Sequence, residues 1–336
     1  MASSRVTMGD IAKKMGLSKS TISTALSDKY GVSESLRSKI LLTALEMNYD
    51  FGSIRKKAPR GVVSLIIGDD SYLCSPFWYN IIAAVEQSLT RNGKSLQLLI
   101  SKQYDTFEEV LLRIGGRNTE GVLLLADGDE EQILKVAGLQ RPLVLIDSRR
   151  YAGLNLNQIR MSNYESGYVA AKYFAERGHK NLAFVGNRGY SYSFRLRANG
   201  FCNGAEEFGC TCTVYDSGEP KPEEGFEVAE LKRMLREQSF PLAVFTGNDF
   251  IAQDLCFRAE KAGIRVPEQL SVIGFDNISD RDFLTTFDVP REVLGDKAVE
   301  LLMRVIENRE APPEIISIGS QLIERGSVCD LNHAKE

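Results

Sequence analysis

Apolar residues near the start of the chain recur three and four apart, the spacing of one helical face. Ile11, Ala12 and Met15 mark a first short helix, opened by Thr7 as cap with Asp10 three residues on, a capping-box-like pair. Gly16 takes the turn, where a residue without Cβ adopts positive φ at little cost. Ser18 caps a second helix whose apolar side is Ile22, Ala25 and Leu26. Lys19, Ser20, Ser23 and Thr24 are left pointing outward. Ser33 caps a third helix, lined by Leu36, Ile40, Ala44 and Met47. The pattern predicts a helix-turn-helix whose second helix carries donors and acceptors suited to base edges in a major groove. A protein-docking or purely structural three-helix module shares the same periodicity.

The pattern lapses over residues 50–61, D-F-G-S-I-R-K-K-A-P-R-G, which read as a basic linker. From Val62 onward, short β-rich apolar runs alternate with amphipathic helices. Strands are expected over 62–67, 96–100, 121–125 and 143–146, with helices over 77–91, 107–114 and 130–137 between them. The alternation restarts with helices over 163–177, 194–208, 223–237 and 250–262 and strands over 182–185, 213–215, 242–245 and 271–273. Alternation of this kind builds parallel sheets with helices on both faces. Two consecutive sets of similar size imply two lobes facing each other across a cleft.

Charge sharpens this division. Residues 1–60 hold 11 Lys and Arg against 5 Asp and Glu, whereas the whole 336-residue chain holds 41 against 45, which leaves 30 against 40 for the remainder. A basic head on an acidic body is the footprint expected when the head alone meets phosphate. The 43% hydrophobic and 26% charged residues are an ordinary globular balance. The opening M-A-S-S-R-V-T lacks the apolar core of a secretory leader, and no apolar run approaches the ~20 residues of a membrane span. A cytoplasmic protein with no membrane partner is the expectation. Six scattered cysteines (Cys74, Cys202, Cys210, Cys212, Cys256 and Cys329) and two histidines (His179 and His333) offer no zinc spacing, so no metal or other cofactor is expected and the thiols read as buried and reduced.

The head, V-T-M-G-D-I-A-K-K-M-G-L-S-K-S-T-I-S-T-A-L-S followed by G-V-S-E-S-L-R-S-K-I and L-E-M-N-Y, resembles that of lactose-repressor (LacI) family regulators. S-P-F-W-Y-N-I-I-A-A-V-E, E-R-G-H-K-N-L-A-F-V-G, G-N-D-F-I-A and L-S-V-I-G-F-D-N extend the resemblance, in order, from about Val6 to Val328. It implies an α-helical helix-turn-helix head followed by an α/β two-lobed, periplasmic-binding-protein-like domain. The expected organisation is a DNA-binding domain at 1–49, a hinge at 50–61, a first lobe at 62–160 plus 291–319, a second at 161–290 plus 320–330, and a frayed tail at 331–336. Three crossings between lobes are implied, with a helix over 291–310 and a strand near 315–318 returning to the first lobe. Members commonly place a DNA-wedging leucine in the hinge. Here Ile54 and Arg55 are followed by Ala58 and Pro59, a poor wedge beside a residue that disfavours helix, so Arg55, Lys56 and Lys57 are expected to supply phosphate charge more than a kink.

By the same resemblance Lys19, Ser20 and Thr24 would reach base edges, while Thr7, Ser18, Ser23, Ser27, Lys29 and Tyr30 would position the head on the backbone. Thr24 stands where many members have arginine, which implies an operator unlike the common family consensus.

In open parallel sheets ligands bind beyond the carboxyl ends of the strands. The loops there carry carboxylates Asp127, Asp147 and Asp276, amide Asn248, hydroxyls Ser191 and Ser193, guanidinium Arg197, and rings Phe77 and Trp78. Carboxylates, amides and a guanidinium fix the hydroxyls of a small polyol while an aromatic ring covers its apolar face. In the family the matching positions line an effector pocket. An Asp at a strand end also commonly caps the next helix, as Asp249 would for a helix starting at Phe250, and Phe77 and Trp78 equally suit a core. Pro220, where some members offer a stacking aromatic, makes a nucleobase less attractive than a sugar-like effector.

No residues are read as catalytic: the chain has no G-x-S-x-G, P-loop or H-E-x-x-H pattern, and His179 suits a structural place. The expectation is a sequence-specific transcription regulator, a repressor, binding double-stranded operator DNA as a homodimer under control of a sugar-like effector. The runner-up, a transport solute-binding protein, predicts a secretory start and no basic helical head. An enzyme predicts a catalytic base with a phosphate or metal loop.

Overall fold

The computed structural model describes residues 6–26, 31–47, 49, 61–115, 119–125, 129–151, 153–189, 191–216, 234, 239–278 and 282–332. They divide into two compact units, 1–60 and 61–336.

In the first unit, α1 (Met8–Met15) begins at the Thr7–Asp10 capping box and ends at Gly16 with φ 66°. The side chains of Thr7 and Asp10 satisfy each other's backbone N–H groups, which holds the first turn. Ser18 accepts from the backbone of Thr21 at 3.0 Å and so caps α2 (Lys19–Leu26). Ser33 accepts from Leu36 N at the start of α3 (Glu34–Glu46). Ile11, Ala12, Ile22, Ala25, Leu26, Ile40, Ala44 and Tyr49 form one small core. Arg37 donates to the carbonyl of Ala25 at 2.9 Å, so α3 supports the last turn of α2. The expected hinge residues Ile54, Arg55, Lys56, Lys57, Ala58 and Pro59 lie outside the described residues.

The second unit holds two all-parallel sheets. The first sheet contains β1 (Val62–Ile67), β2 (Ser95–Ile100), β3 (Thr119–Leu125), β4 (Leu143–Ile146), β5 (Asn157–Met161) and β11 (Ile315–Ile318), in the order β11-β5-β4-β3-β1-β2. The second contains β6 (Asn181–Val185), β7 (Thr211–Tyr215), β8 (Leu242–Thr246) and β9 (Leu270–Ile273), in the order β7-β6-β8-β9. A third, antiparallel pair joins β10 (Thr286–Asp288) to β12 (Gln321–Ile323).

Beside the first sheet lie α4 (Ser71–Cys74), α5 (Pro76–Arg91), α6 (Phe107–Ile114) and α7 (Glu130–Gly138). With the second sheet go α8 (Asn163–Glu176), α9 (Tyr192–Glu207) and α10 (Asp249–Lys261). The long α11 (Arg291–Glu307) returns to pack on α5 and on β3, β4 and β5. The backbone therefore passes between lobes after Met161, after Asp288 and after Ile318, the three crossings the resemblance implied.

Four expectations need correction. Residues 157–161, N-Q-I-R-M, form a central strand that the apolar pattern did not disclose, and it runs one residue past the expected lobe boundary at 160. Its Asn157 and Gln158 are buried: the Asn157 side chain accepts from Glu314 N at 2.9 Å, and the Gln158 backbone N–H donates to Glu314 O. Asp249 does not cap α10. The cap is Asn248, whose side chain accepts from Ile251 N. The thiols are reduced but not buried, since Cys74 is exposed and the other five are half-exposed. The tail is tied down further than expected, because Leu331 N bonds Arg177 O and the Asn332 amide bonds Glu176 O. The helix expected over 223–237, with Pro220 before it, falls outside the described residues except for Met234, which is helical and buried.

Candidate functional site

On the head, Thr7, Ser18, Lys19 and Ser20 are exposed, and Ser23 and Thr24 half-exposed, along α2 and the turn before it. Lys19 is exposed in the first turn. The Ser20 hydroxyl instead meets Ser18 Oγ at 2.7 Å, and Ser18 also meets Thr21 Oγ1 at 2.8 Å. Ser20 thus takes part in the capping network at the start of α2. Ser27, Lys29 and Tyr30 lie outside the described residues.

In the body, a cavity of about 150 Å³ lies where the carboxyl ends of both sheets meet. Eight of the nine expected effector residues line it: Phe77, Trp78, Asp147, Ser191, Ser193, Arg197, Asn248 and Asp276. The ninth, Asp127, is outside the described residues. Seven of the eight follow a strand end or open a helix, and Arg197 lies in the second turn of α9. Asp147 comes directly after β4 and Asp276 shortly after β9, and both sit at positive φ (48° and 102°), as does Asn277 at 51°. Non-glycine residues held there are strained, and such strain concentrates at binding sites. Asn277 is pinned in place, donating to Asp288 at 2.9 Å and accepting from Arg325 at 2.7 Å.

Arg197 is the centre of the wall, 3% exposed. It sits on α9, donates to Asn163 Oδ1 at 2.8 Å and to the Gly247 carbonyl, and its guanidinium lies 3.5 Å from the centroid of the Phe275 ring. Glycines let α8 and α9 approach closely enough for this: a Cβ on Gly167 would collide with the Arg197 carbonyl, and one on Gly200 with that of Tyr164. Burial pushes the Arg197 pKa down, opposed by the negative charges of Asp276, Asp147 and Asp249. Burial likewise pushes Asp276 up to about 8, against the pull of Arg197 and with the repulsion of Asp249 and Asp147. The pocket therefore presents one firm cation beside carboxyl groups, one of which holds its proton at neutral pH.

Asp147 belongs to the first lobe and Ser193 to the second, and the serine hydroxyl reaches both carboxylate oxygens, at 3.3 and 3.4 Å. These are long contacts that a ligand hydroxyl can replace. Ser191 and Asn248 cap α9 and α10, so two helix N-termini also face the cavity. Phe77 is buried and meets Trp78 edge-on at 4.7 Å, so the pair is at once core and pocket wall.

Several contributors were not among the expected effector residues. Phe194, Ser75, Phe250 and Ile278 complete the lining. Asn163 orients Arg197 from the start of α8, and its part was hidden because β5 before it was not recognised. Asp249, fully buried, accepts from Ile278 N at 2.8 Å and from Thr286 Oγ1 at 2.6 Å, and so shapes the loop that carries Asp276. His179 is structural: it is buried, with Nε2 2.9 Å from the Cys329 carbonyl and 3.2 Å from Ser271 Oγ. Among the described residues no group of three or more His, Cys, Asp or Glu stands ready for a metal, and no helix is long and apolar enough to cross a membrane.

Comparison with known proteins agrees with this architecture. Residues 7–50 match the model for bacterial regulatory proteins of the lacI family, and residues 171–328 match a periplasmic binding protein-like domain. The HTH-type transcriptional repressor PurR of Yersinia enterocolitica is 28% identical over 333 residues, covering 96% of this chain and 97% of the relative. PurR of Proteus mirabilis is 28% identical over 335 residues, with the same coverage. Among solved structures, the lac repressor dimer bound to operator and the anti-inducer ONPF aligns with a TM-score of 0.69 at 19% identity, over 97% of this chain and 99% of that one. The regulator CelR in complex with cellobiose aligns at 0.67 and 21%, over 96% and 100%. A LacI family regulator from Enterococcus faecium with bound ribose aligns at 0.66 and 20%, over 80% and 99%. With its helix-turn-helix head and two-sheet body, the chain belongs to the LacI family of bacterial regulatory proteins, and is a DNA-binding regulator of transcription rather than an enzyme.

Proposed function

We propose that the chain represses transcription from the cytoplasm by binding operator DNA as a homodimer, and that a single-ring sugar or sugar derivative held between its lobes sets the affinity. Lys19, Ser20 and Thr24 read bases. Thr7, Ser18, Ser23, Ser27, Lys29 and Tyr30 hold the backbone, and Arg55, Lys56 and Lys57 add phosphate contacts. In the body, Arg197, Asp147, Asp276, Asn248, Ser191 and Ser193, with Asp127, fix hydroxyls against the Phe77–Trp78 wall.

The observation that carries the effector class is the pocket itself. Its volume of about 150 Å³ lies below the ~300 Å³ at which sites for drug-sized ligands begin, and its lining alternates charged, amide and hydroxyl groups with rings. That suits one polyhydroxylated ring and leaves little room for a disaccharide or a nucleoside. Cellobiose in CelR and ribose in the Enterococcus faecium regulator belong to those proteins, and they support a carbohydrate here as a class.

Ligand bridging Asp147 of one lobe to Arg197 and Asp276 of the other changes how the lobes sit, and through the dimer the spacing of the heads. DNA affinity then shifts by the coupling free energy, typically about 1–3 kcal/mol. The test is a gel-shift titration with DNA from upstream of the protein's own gene, with and without ribose, xylose, fructose and glucose. A five- to 150-fold change in apparent affinity with one of them is expected, roughly the range that coupling allows. Specific DNA binding that no monosaccharide alters would refute the sugar assignment while leaving the DNA-binding role intact.

A further inference from the structure

Cys202 and Cys212 are ten residues apart in sequence but lie on two elements that pack together, α9 and the sheet-edge strand β7. Their sulfur atoms are 2.6 Å apart. Two unlinked sulfurs in ordinary contact sit well beyond that, and a disulfide bond is ~2.05 Å. The side chains therefore already face each other within a small movement of bonding. We propose that Cys202 and Cys212 are a peroxide-responsive dithiol that closes to a disulfide stapling α9 to β7.

The surroundings assign the two sulfurs different roles. Arg188, gripped by Asp216 through bonds of 2.6 to 3.2 Å, places a guanidinium charge close enough to favour the Cys202 thiolate. The Cys212 thiol, hydrogen-bonded to Cys202, pulls the Cys202 pKa below the ordinary thiol value, and that same hydrogen bond, with burial, pushes Cys212 up. Cys202 is thus the attacking sulfur and Cys212 the resolving one. Both are half-exposed, which leaves a small oxidant room to reach them. Cys210, the third cysteine nearby, is directed elsewhere: its sulfur meets the His179 carbonyl at 3.3 Å.

The chemistry balances with hydrogen peroxide as oxidant. The Cys202 thiolate attacks one peroxide oxygen, the O–O bond breaks, and the departing hydroxide takes up the thiol proton as water, leaving a sulfenic acid. The Cys212 sulfur then attacks the Cys202 sulfur, the S–O bond breaks, and a second water leaves with the Cys212 proton. The two thiols lose two electrons and two protons, and peroxide becomes two waters. Because α9 also carries Ser193 and Arg197 in its first turns, the staple restrains the helix that lines the interlobe pocket.

The experiment treats the full-length reduced protein with hydrogen peroxide, blocks remaining thiols with N-ethylmaleimide, and maps peptides by mass spectrometry without reduction. Expected is a Cys202–Cys212 linked peptide, loss of labelling at both positions, and recovery of both on dithiothreitol treatment. The C210S variant should behave like the parent, while C202S and C212S should each give no bridge. Hydrogen exchange of the α9 amides should slow on oxidation of the parent and of C210S. Continued labelling of Cys202 and Cys212 after peroxide, oxidation to unlinked sulfinic acids, or a bridge that includes Cys210 would each overturn the proposal. The parent and C210S carry the result even where a serine variant folds poorly.

Discussion

In the head, the polar side chains of interest stand outside the core. Lys19 and Ser20 are exposed on a helix whose other face buries Ile22, Ala25 and Leu26, so chemistry and stability occupy opposite sides of one element. In the pocket they coincide: Arg197, Asp147 and Asp276 are buried and bonded into the fold, and the two aspartates are strained in backbone, so each change there is felt twice. An exposed polar surface can therefore be changed with little cost to folding, whereas the pocket cannot.

The largest effect expected separates the two regions from the pocket side. Arg197→Met removes a buried cation that bonds Asn163 and Gly247 and faces three carboxyl groups, and should destabilise the body by about 3–5 kcal/mol. Urea unfolding of the second unit should show this, with the head's DNA affinity measured on the same protein for contrast. A body of unchanged stability would mean that the cluster contributes nothing to folding.

Ile22→Ala breaks the head instead. Truncating a fully buried side chain costs about 2–5 kcal/mol, a large share of what so small a core supplies. Calorimetry should show loss of the head's transition with the body's retained, and DNA binding should vanish while any sugar binding survives. Joint loss of both transitions would break the division drawn here.

A pH series sharpens the pocket's half of the comparison. Asp276 has a folded pKa of about 8 against an ordinary 3.8, so between those values the folded state holds a proton that the unfolded chain releases. Its contribution is greatest below pH 3.8 and declines as pH rises through about 8. Relative to Asp276→Asn, the parent should lose stability across that window. A difference that stays flat, or one that grows in the parent's favour, contradicts the assignment.

The smallest effect expected is in the head. Thr7→Ala removes the capping box and should cost about 1 kcal/mol, read as a lower melting temperature of the head with the body unmoved. DNA affinity should fall beyond what lost folding explains if Thr7 also meets a phosphate.

The helices and strands of the sheets were legible wherever burial was one-sided or wholly apolar. β1, β4 and α6 run over the residues expected, because Val62–Ile67, Leu143–Ile146 and Phe107–Ile114 each carry an unmixed pattern. β5 was not legible, because the Asn157 and Gln158 that it buries look like loop residues until Glu314 is there to bond them. Similarly, Asn248 rather than Asp249 became the cap. Both residue types suit that place, and the choice depended on Ile278 and Thr286 claiming the aspartate.

Local pattern, caps and turn glycines by themselves determined the head, the two α/β series and most of the residues that ring the cleft, since periodicity and strand-end position act over a few residues. Tertiary structure alone decided which charges meet. Asp147, Arg197 and Asp276 become one cluster because two strand ends and α9 converge, and only that convergence strips away water and lifts the Asp276 pKa, while the packing of α9 on β7 brings two cysteine sulfurs into contact.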